Sequence, residues 1–196
     1  MEPIILASSS PRRQEILKLL HISYQVIMPN VDETVEDNIP PEKVPEILAR
    51  RKVDAVVHML PSNQEIPWVL GADTIVTIDG KIYGKPQNQD QAVTFLRDLQ
   101  GRTHSVVTAI ALFKGRTHTV ATTTAITKVT FNAMTEKEIE WYADTGDWHG
   151  AAGGYRIQGL ASCFISSIEG TDSCVMGLPI FELYDILKRQ GYSILE

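Results

Sequence analysis

Ile4-Ile5-Leu6-Ala7-Ser8-Ser9-Ser10-Pro11-Arg12-Arg13-Gln14-Glu15-Ile16-Leu17-Lys18-Leu19-Leu20 is the stretch from which the rest of the chain is read. A short apolar run of strand character passes through three hydroxyl side chains into an amphipathic helix. Ser10 stands where an N-cap belongs, and Pro11 suits the first helical position, where no N–H is needed. Backbone amides, serine hydroxyls and two guanidinium groups therefore meet at one helix N-terminus. Such a place holds anions, a phosphate chain above all, because the helix dipole and the arginine forks act on the same ligand. The Gly-x-x-x-x-Gly-Lys pattern of a P-loop is absent, so serines stand where that motif has glycines. An ordinary capped helix with two solvated arginines fits the same residues, and the segment alone leaves both readings open.

The chain of 196 residues is long enough for a sizeable core, and 43% hydrophobic with 21% charged residues is the balance of a soluble globular protein. Its net charge of −6 excludes a general nucleic-acid binder and makes the Arg12-Arg13 pair conspicuous. The two cysteines, Cys163 and Cys174, lack metal-ligand spacing and read as small reduced core residues. No secretory signal pattern or bilayer-length apolar run occurs, so a cytoplasmic location without membrane or polynucleotide partners is expected.

Outward from the opening stretch, strands and helices alternate without repeats. Tyr24 to Met28 reads as a strand running into the acidic loop Asn30 to Asp37, and a helix is expected from Val44 to Val57. Pro67 to Ile78 reads as a strand bent near Gly71, and Asp79-Gly80 as a tight hairpin turn leading to Gly84-Lys85-Pro86. A helix over Asn88–Leu99 precedes two long strands, Thr103–Phe113 and Thr117–Phe131. Thr135 and Glu138 form a capping box for a helix over Glu136–Asp144. After a glycine-rich stretch from Gly146 to Gly159, strands are expected near Phe164–Ile168 and Ser173–Val175, then a helix over Ile180–Arg189. Hairpins mixed with β-α units predict one α/β domain over residues 1–196. Its expected architecture is a mixed twisted sheet with flanking helices and two lobes around a cleft, not a doubly wound parallel sheet.

Asp73 sits in mid-strand among apolar and small residues, where a carboxylate is costly unless it meets a charge partner or a metal. It is the candidate general base or metal ligand. Glu33 lies in a loop whose acidic residues read equally well as solvated, and Lys52 on an amphipathic helix reads equally well as surface decoration. Lys85 is directed by the stiff corner before Pro86. Gln158, between glycines, presents an amide suited to a nucleobase edge. The five histidines have no ligand or triad spacing.

Leu6–Arg13, Gly71-Ala72-Asp73-Thr74-Ile75-Val76, Gly84-Lys85-Pro86, Ala152–Gly159 and Gly177-Leu178-Pro179 occur in this order. Together they resemble the Maf family of nucleoside triphosphate pyrophosphatases over essentially the whole chain. The resemblance implies a fold like that of the inosine triphosphate pyrophosphatases, and hydrolysis of a nucleoside triphosphate to the monophosphate and pyrophosphate with Mg²⁺ or Mn²⁺. It implies Asp73 as proton acceptor and Glu33 with Asp73 as metal ligands. Ser8, Ser10, Arg12, Arg13, Lys52 and Lys85 would line the phosphate site. Arg12, Thr74 and Gln158 match the branch similar to dTTP/UTP pyrophosphatases, with CTP and modified pyrimidine nucleotides as further substrates. The family also implies a homodimer. Its neighbours leave two other readings, an inosine or xanthosine triphosphate pyrophosphatase and a nucleotide-binding regulator of septum formation. Ala151 departs from the pattern, since many relatives carry lysine there.

Overall fold

A computed structural model describes residues 2–36, 38–61 and 68–195. Among these, seven strands form a mixed sheet: β1 (Ile4–Ala7), β2 (Tyr24–Val26), β3 (Trp68–Ile78), β4 (Lys81–Tyr83), β5 (Thr103–Lys114), β6 (Thr119–Phe131) and β7 (Ile165–Glu169). Their order is β2-β1-β3-β5-β6-β7, with β4 paired to β3. The helices are α1 (Pro11–Leu19), α2 (Val44–Met59), α3 (Gln89–Leu99), α4 (Glu136–Asp144), α5 (Asp172–Met176) and α6 (Ile180–Gln190). The mixed α/β architecture agrees with the expectation. Asp37 of the acidic loop and Pro67 of the expected strand lie outside the described residues.

The chain divides into two compact units, Met1–Asp73 with Thr108–Ala125 and Gly177–Glu196, and Thr74–Val107 with Ile126–Met176. In the first, β1 pairs in parallel with β2 and with β3, in register from Ile4↔Trp68 to Ala7↔Gly71. A strand paired on both sides reads as a continuous apolar run, as Ile4 to Ala7 does. Gly71 lets α2 approach closely: a Cβ there would lie 2.6 Å from the Ala49 carbonyl oxygen and 2.7 Å from Val53 Cγ2. Ala49, Val53 and Val56 of α2 pack into one buried cluster with Ile5, Val69 and Phe113.

In the second unit, β3 turns into antiparallel β4 through Asp79 and Gly80, both with positive φ (52° and 75°), the backbone that a two-residue hairpin turn requires. Asn88 caps α3 by accepting the Gln91 amide, and Thr135 and Glu138 form the expected capping box on α4. The buried cluster here is aromatic. Tyr83 meets Phe95, and Phe131 meets Tyr155, edge to face.

Three expectations are corrected. Ser173–Val175 is not a strand but part of α5, because the Thr171 hydroxyl accepts the Cys174 amide and the Asp172 carboxylate accepts that of Ser173. Those side-chain bonds satisfy amides at the start of a helical turn. The strand after α1 ends at Val26, and Met28 is exposed. Cys163 is exposed at a 3-10 turn, whereas Cys174 is buried.

Candidate active site

Where β1 hands over to α1, Ser10 occupies the N-cap position and Pro11 the first helical position, but the Ser10 side chain makes no capping bond. Ser8 organises the turn instead. Its buried Oγ accepts the Ser10 amide at 3.2 Å and Arg13 Nη1 at 2.9 Å. Arg13 also donates through Nε to the Gly177 carbonyl at 2.8 Å, so it is a buried cation tied to the segment before α6 rather than a solvated arginine. Burial is the largest influence on Arg13 and lowers its pKa, with Asp73 and Glu33 opposing and Arg12 reinforcing. Arg12, the next residue back, is half-buried.

A second buried cation comes from α2. Leu48, Ala49, Val53 and Val56 form its buried stripe, and Lys52 falls inside that stripe with 7% of its surface exposed. Its ammonium is largely withdrawn from solvent and meets carboxylates instead. Lys52 Nζ donates to Asp73 Oδ1 at 2.5 Å and lies 2.9 Å from Glu33 Oε1. Asp73 shares the face of β3 that Gly71 presents to α2, since side chains two apart in a strand point the same way. The Asp73 pKa is raised above the usual carboxylate value. Burial is the largest cause, Lys52 and Arg13 work against it, and Glu33 adds to it. A carboxylate that holds a proton more readily than normal, beside two fixed cations, is the arrangement of a general base.

Glu33 stands on an exposed loop, and its position has a cause that the sequence reading missed. Arg51 Nη1 donates to the carbonyls on both sides of it, Asp32 at 3.0 Å and Thr34 at 2.6 Å. The Asp32 carboxylate accepts the Thr34 amide at 2.8 Å, a local turn around the same residue. The pattern Arg51-Lys52 on a helix opposite an Asp-Glu-Thr loop carried this information in charge alone.

The donor chemistry fits a small hard cation. Glu33 and Asp73 offer carboxylate oxygens to the same point, now shared by the Lys52 ammonium, and Mg²⁺ is commonly held by one or two carboxylates with substrate phosphates completing its shell. No cluster of three or more His, Cys, Asp or Glu residues suited to a metal occurs among the described residues.

Thr74, Lys85 and Gln158 belong to the second unit. Thr74 is half-buried on β3, and Lys85 is exposed at the corner after β4. Gly153, with φ of 70°, donates its amide to the Gly84 carbonyl at 3.0 Å, which ties the Lys85 corner to the glycine-rich segment. A Cβ on Gly153 would lie 2.7 Å from Val76 Cγ2, so only glycine fits. Gln158 is exposed on that segment, and Ala151 is buried at its start.

A mixed-sheet α/β protein with serine hydroxyls, two buried cations and a proton-retaining carboxylate beside one helix N-terminus belongs to the class that acts on anionic, phosphate-bearing ligands. The chain matches the family of Maf-like proteins over residues 3–190 and belongs to it. Similar proteins include a dTTP/UTP pyrophosphatase of Desulforamulus reducens, 46% identical over 195 residues and covering 100% of both chains. A dTTP/UTP pyrophosphatase of Pelotomaculum thermopropionicum is 40% identical over the same span, again with 100% of both chains covered. Among solved structures, the Ham1 protein of Staphylococcus aureus matches 66% of this chain and 72% of its own, at 17% identity and a TM-score of 0.48.

Proposed function

We propose that this protein is a dTTP/UTP pyrophosphatase, hydrolysing the α–β anhydride of a pyrimidine nucleoside triphosphate to give the monophosphate and pyrophosphate. The observation that carries this reading is the buried Asp73 carboxylate, its pKa raised, hydrogen-bonded to Lys52 and close to Arg13 in a chain similar over its full length to proteins of that name.

The chemistry follows from the parts. Water attacks phosphorus, the bridging oxygen–phosphorus bond breaks, and pyrophosphate leaves. Asp73 takes the proton of the attacking water. Lys52, Arg12, Arg13, Lys85 and the α1 N-terminus, with Ser8 and Ser10, neutralise and orient the polyphosphate. Glu33 and Asp73 are the residues that would hold a divalent ion, Mg²⁺ or Mn²⁺, which when bound supplies charge neutralisation at the phosphate oxygens. Holding the ion and accepting the proton are compatible roles for one carboxylate, which has two oxygens. Gln158 carries a donor and an acceptor together, the complement of the carbonyl and N–H edge shared by uracil and thymine. Arg12 and Thr74 contribute to the same discrimination.

The proposal includes a homodimer acting on free nucleotides in the cytoplasm, without nucleic acid or membrane partners. No helix among the described residues is long and apolar enough to cross a membrane.

The test is turnover of purified protein, with Mg²⁺ or Mn²⁺, against a panel of standard and modified triphosphates with both products identified. Metal-dependent release of pyrophosphate and monophosphate, fastest from dTTP and UTP, is expected. Preference for ITP or XTP overturns the substrate assignment, and tight binding without product overturns the enzyme.

A further inference from the structure

Gln158 is exposed, and the point from which its amide reaches out is set by the backbone that carries it. That backbone is a tight turn. The Gly159 amide donates to the Arg156 carbonyl at 3.1 Å, leaving Ile157 and Gln158 at the two central positions. One side chain bonds on both sides of Gln158. Asp147 Oδ2 accepts the Leu160 amide at 3.0 Å, two residues after Gln158, and Oδ1 lies 3.5 Å from Arg156 Nη1, two residues before it.

The rest of the surroundings reinforce that grip. Arg156 Nη2 donates to the His149 carbonyl at 2.8 Å, and the Arg156 amide reaches the Tyr142 hydroxyl at 3.4 Å. Asp147 is fixed in turn by its own amide, which donates to Thr145 Oγ1 at 3.3 Å. Its carboxylate is largely buried, with 17% of the side chain exposed. The glycine after Gln158 completes the fit: a Cβ on Gly159 would lie 2.2 Å from Asp147 Oδ2, so the carboxylate sits against bare backbone. No part of the hydrolysis needs Asp147.

We infer that Asp147 is a positioning residue for substrate choice: by binding the Arg156 guanidinium on one side of Gln158 and the Leu160 amide on the other, it holds the segment from which the Gln158 amide reaches out and thereby supports the preference for uracil and thymine over purines. The inference rests on the assignment of Gln158 as the residue that reads the base. Two hydrogen-bonding anchors separate a turn with one conformation from a turn with several. An amide sampling several directions pairs equally poorly with every base edge. Loss of Asp147 therefore acts on discrimination, not on the proton chemistry.

The experiment measures kcat/KM for UTP and GTP in the wild type, Asp147→Ala, Asp147→Asn, Gln158→Ala and the Asp147→Ala/Gln158→Ala double variant. Asp147→Ala is expected to lower the UTP-to-GTP ratio about 5- to 10-fold, the worth of one modest hydrogen bond, through a higher KM for UTP more than a lower kcat. Asp147→Asn retains an acceptor for the Leu160 amide and is expected to recover part of the ratio. It also supplies the measurement should the alanine variant not fold. The double variant is expected to discriminate no worse than Gln158→Ala alone, because both changes remove one contact to the base. A ratio unchanged in both Asp147 variants while Gln158→Ala lowers it overturns the inference and leaves the base-reading role of Gln158 standing. A ratio unchanged in Gln158→Ala as well overturns both.

Discussion

In the first unit three of the candidate functional side chains are charged, buried and mounted on regular elements, Arg13 on α1, Lys52 on α2 and Asp73 on β3, while Glu33 reaches them from an exposed loop. In the second, Thr74 is half-buried on β3, and Lys85 at a corner and Gln158 on a glycine-rich turn are both exposed. Buried charges lose the solvation that would let them relax, so they are held by one another and by the packing of α2 on β3. Exposed polar groups keep their water and depend on backbone geometry for direction. The division suits two demands of the proposed reaction. Proton transfer and charge stabilisation need preorganised electrostatics in a dry place. Discrimination among bases needs only a correctly aimed donor and acceptor.

The largest effect should follow from removing the first unit's carboxylate. Asp73→Asn is expected to keep the fold, since Lys52 retains Glu33, while hydrolysis falls by about 10²- to 10⁴-fold, the usual cost of losing a positioned base. Circular dichroism and thermal melting check the fold, and pyrophosphate release at saturating Mg²⁺ and nucleotide checks the rate. The wild type is also expected to lose kcat/KM on the acid side at a pH above the ordinary carboxylate range, because burial raises the Asp73 pKa. That limb should be missing from the variant. Near-normal turnover of Asp73→Asn removes this residue from the mechanism.

The second unit has its own buried titratable group, and it responds to acid with the opposite sign. His104 is 2% exposed, with Nε2 2.7 Å from the Tyr155 hydroxyl, and burial pushes its pKa down to about 4. Unfolded, it takes up a proton below its ordinary value of 6.5, whereas folded it does not. The unfolded state therefore binds more protons between those values, and stability is lost as pH falls from 6.5 towards 4. The loss attributable to His104 is about 3 kcal/mol across that window. Asp73 works the other way: its folded pKa is raised, so protonation below it relieves a penalty and stability rises as pH falls through it. Denaturant unfolding of wild type and His104→Gln at several pH values checks the slope. The two curves are expected to converge towards pH 4, and parallel curves break the contrast.

How much of this was legible beforehand depended on whether the cause was local. The turn from β1 into α1, the Asp79-Gly80 hairpin and the Thr135/Glu138 box came through because each is decided within four residues. Which of two adjacent arginines turns inward did not, because Arg13 is fixed by a carbonyl 164 residues away. Ser173–Val175 reads as strand in the sequence because part of the capping of α5 comes from the Thr171 hydroxyl, on a residue whose amide is itself held by Thr127 Oγ1 across the fold. Lys52 is the instructive intermediate. In the sequence it reads equally well as surface decoration on an amphipathic helix, and its place on the buried stripe with Leu48, Ala49, Val53 and Val56 makes sense only once Asp73 and Glu33 stand opposite.

The smallest effect compares one glycine from each unit. At Gly71 an added methyl would press on the Ala49 carbonyl and Val53, and α2 must move outward to admit it. Gly71→Ala is expected to cost about 1–3 kcal/mol, the range for overfilling a packed core, read as a lower denaturation midpoint with an unchanged slope. The same shift carries Lys52 away from Asp73, so kcat should fall with it while KM changes less. At Gly84 an added methyl meets nothing within 4 Å and the backbone has no positive φ, so Gly84→Ala is expected to stay within about 0.5 kcal/mol of wild type. If the two substitutions prove equally mild, α2 does not need its close approach to β3, and the buried pair is held by attraction rather than by packing.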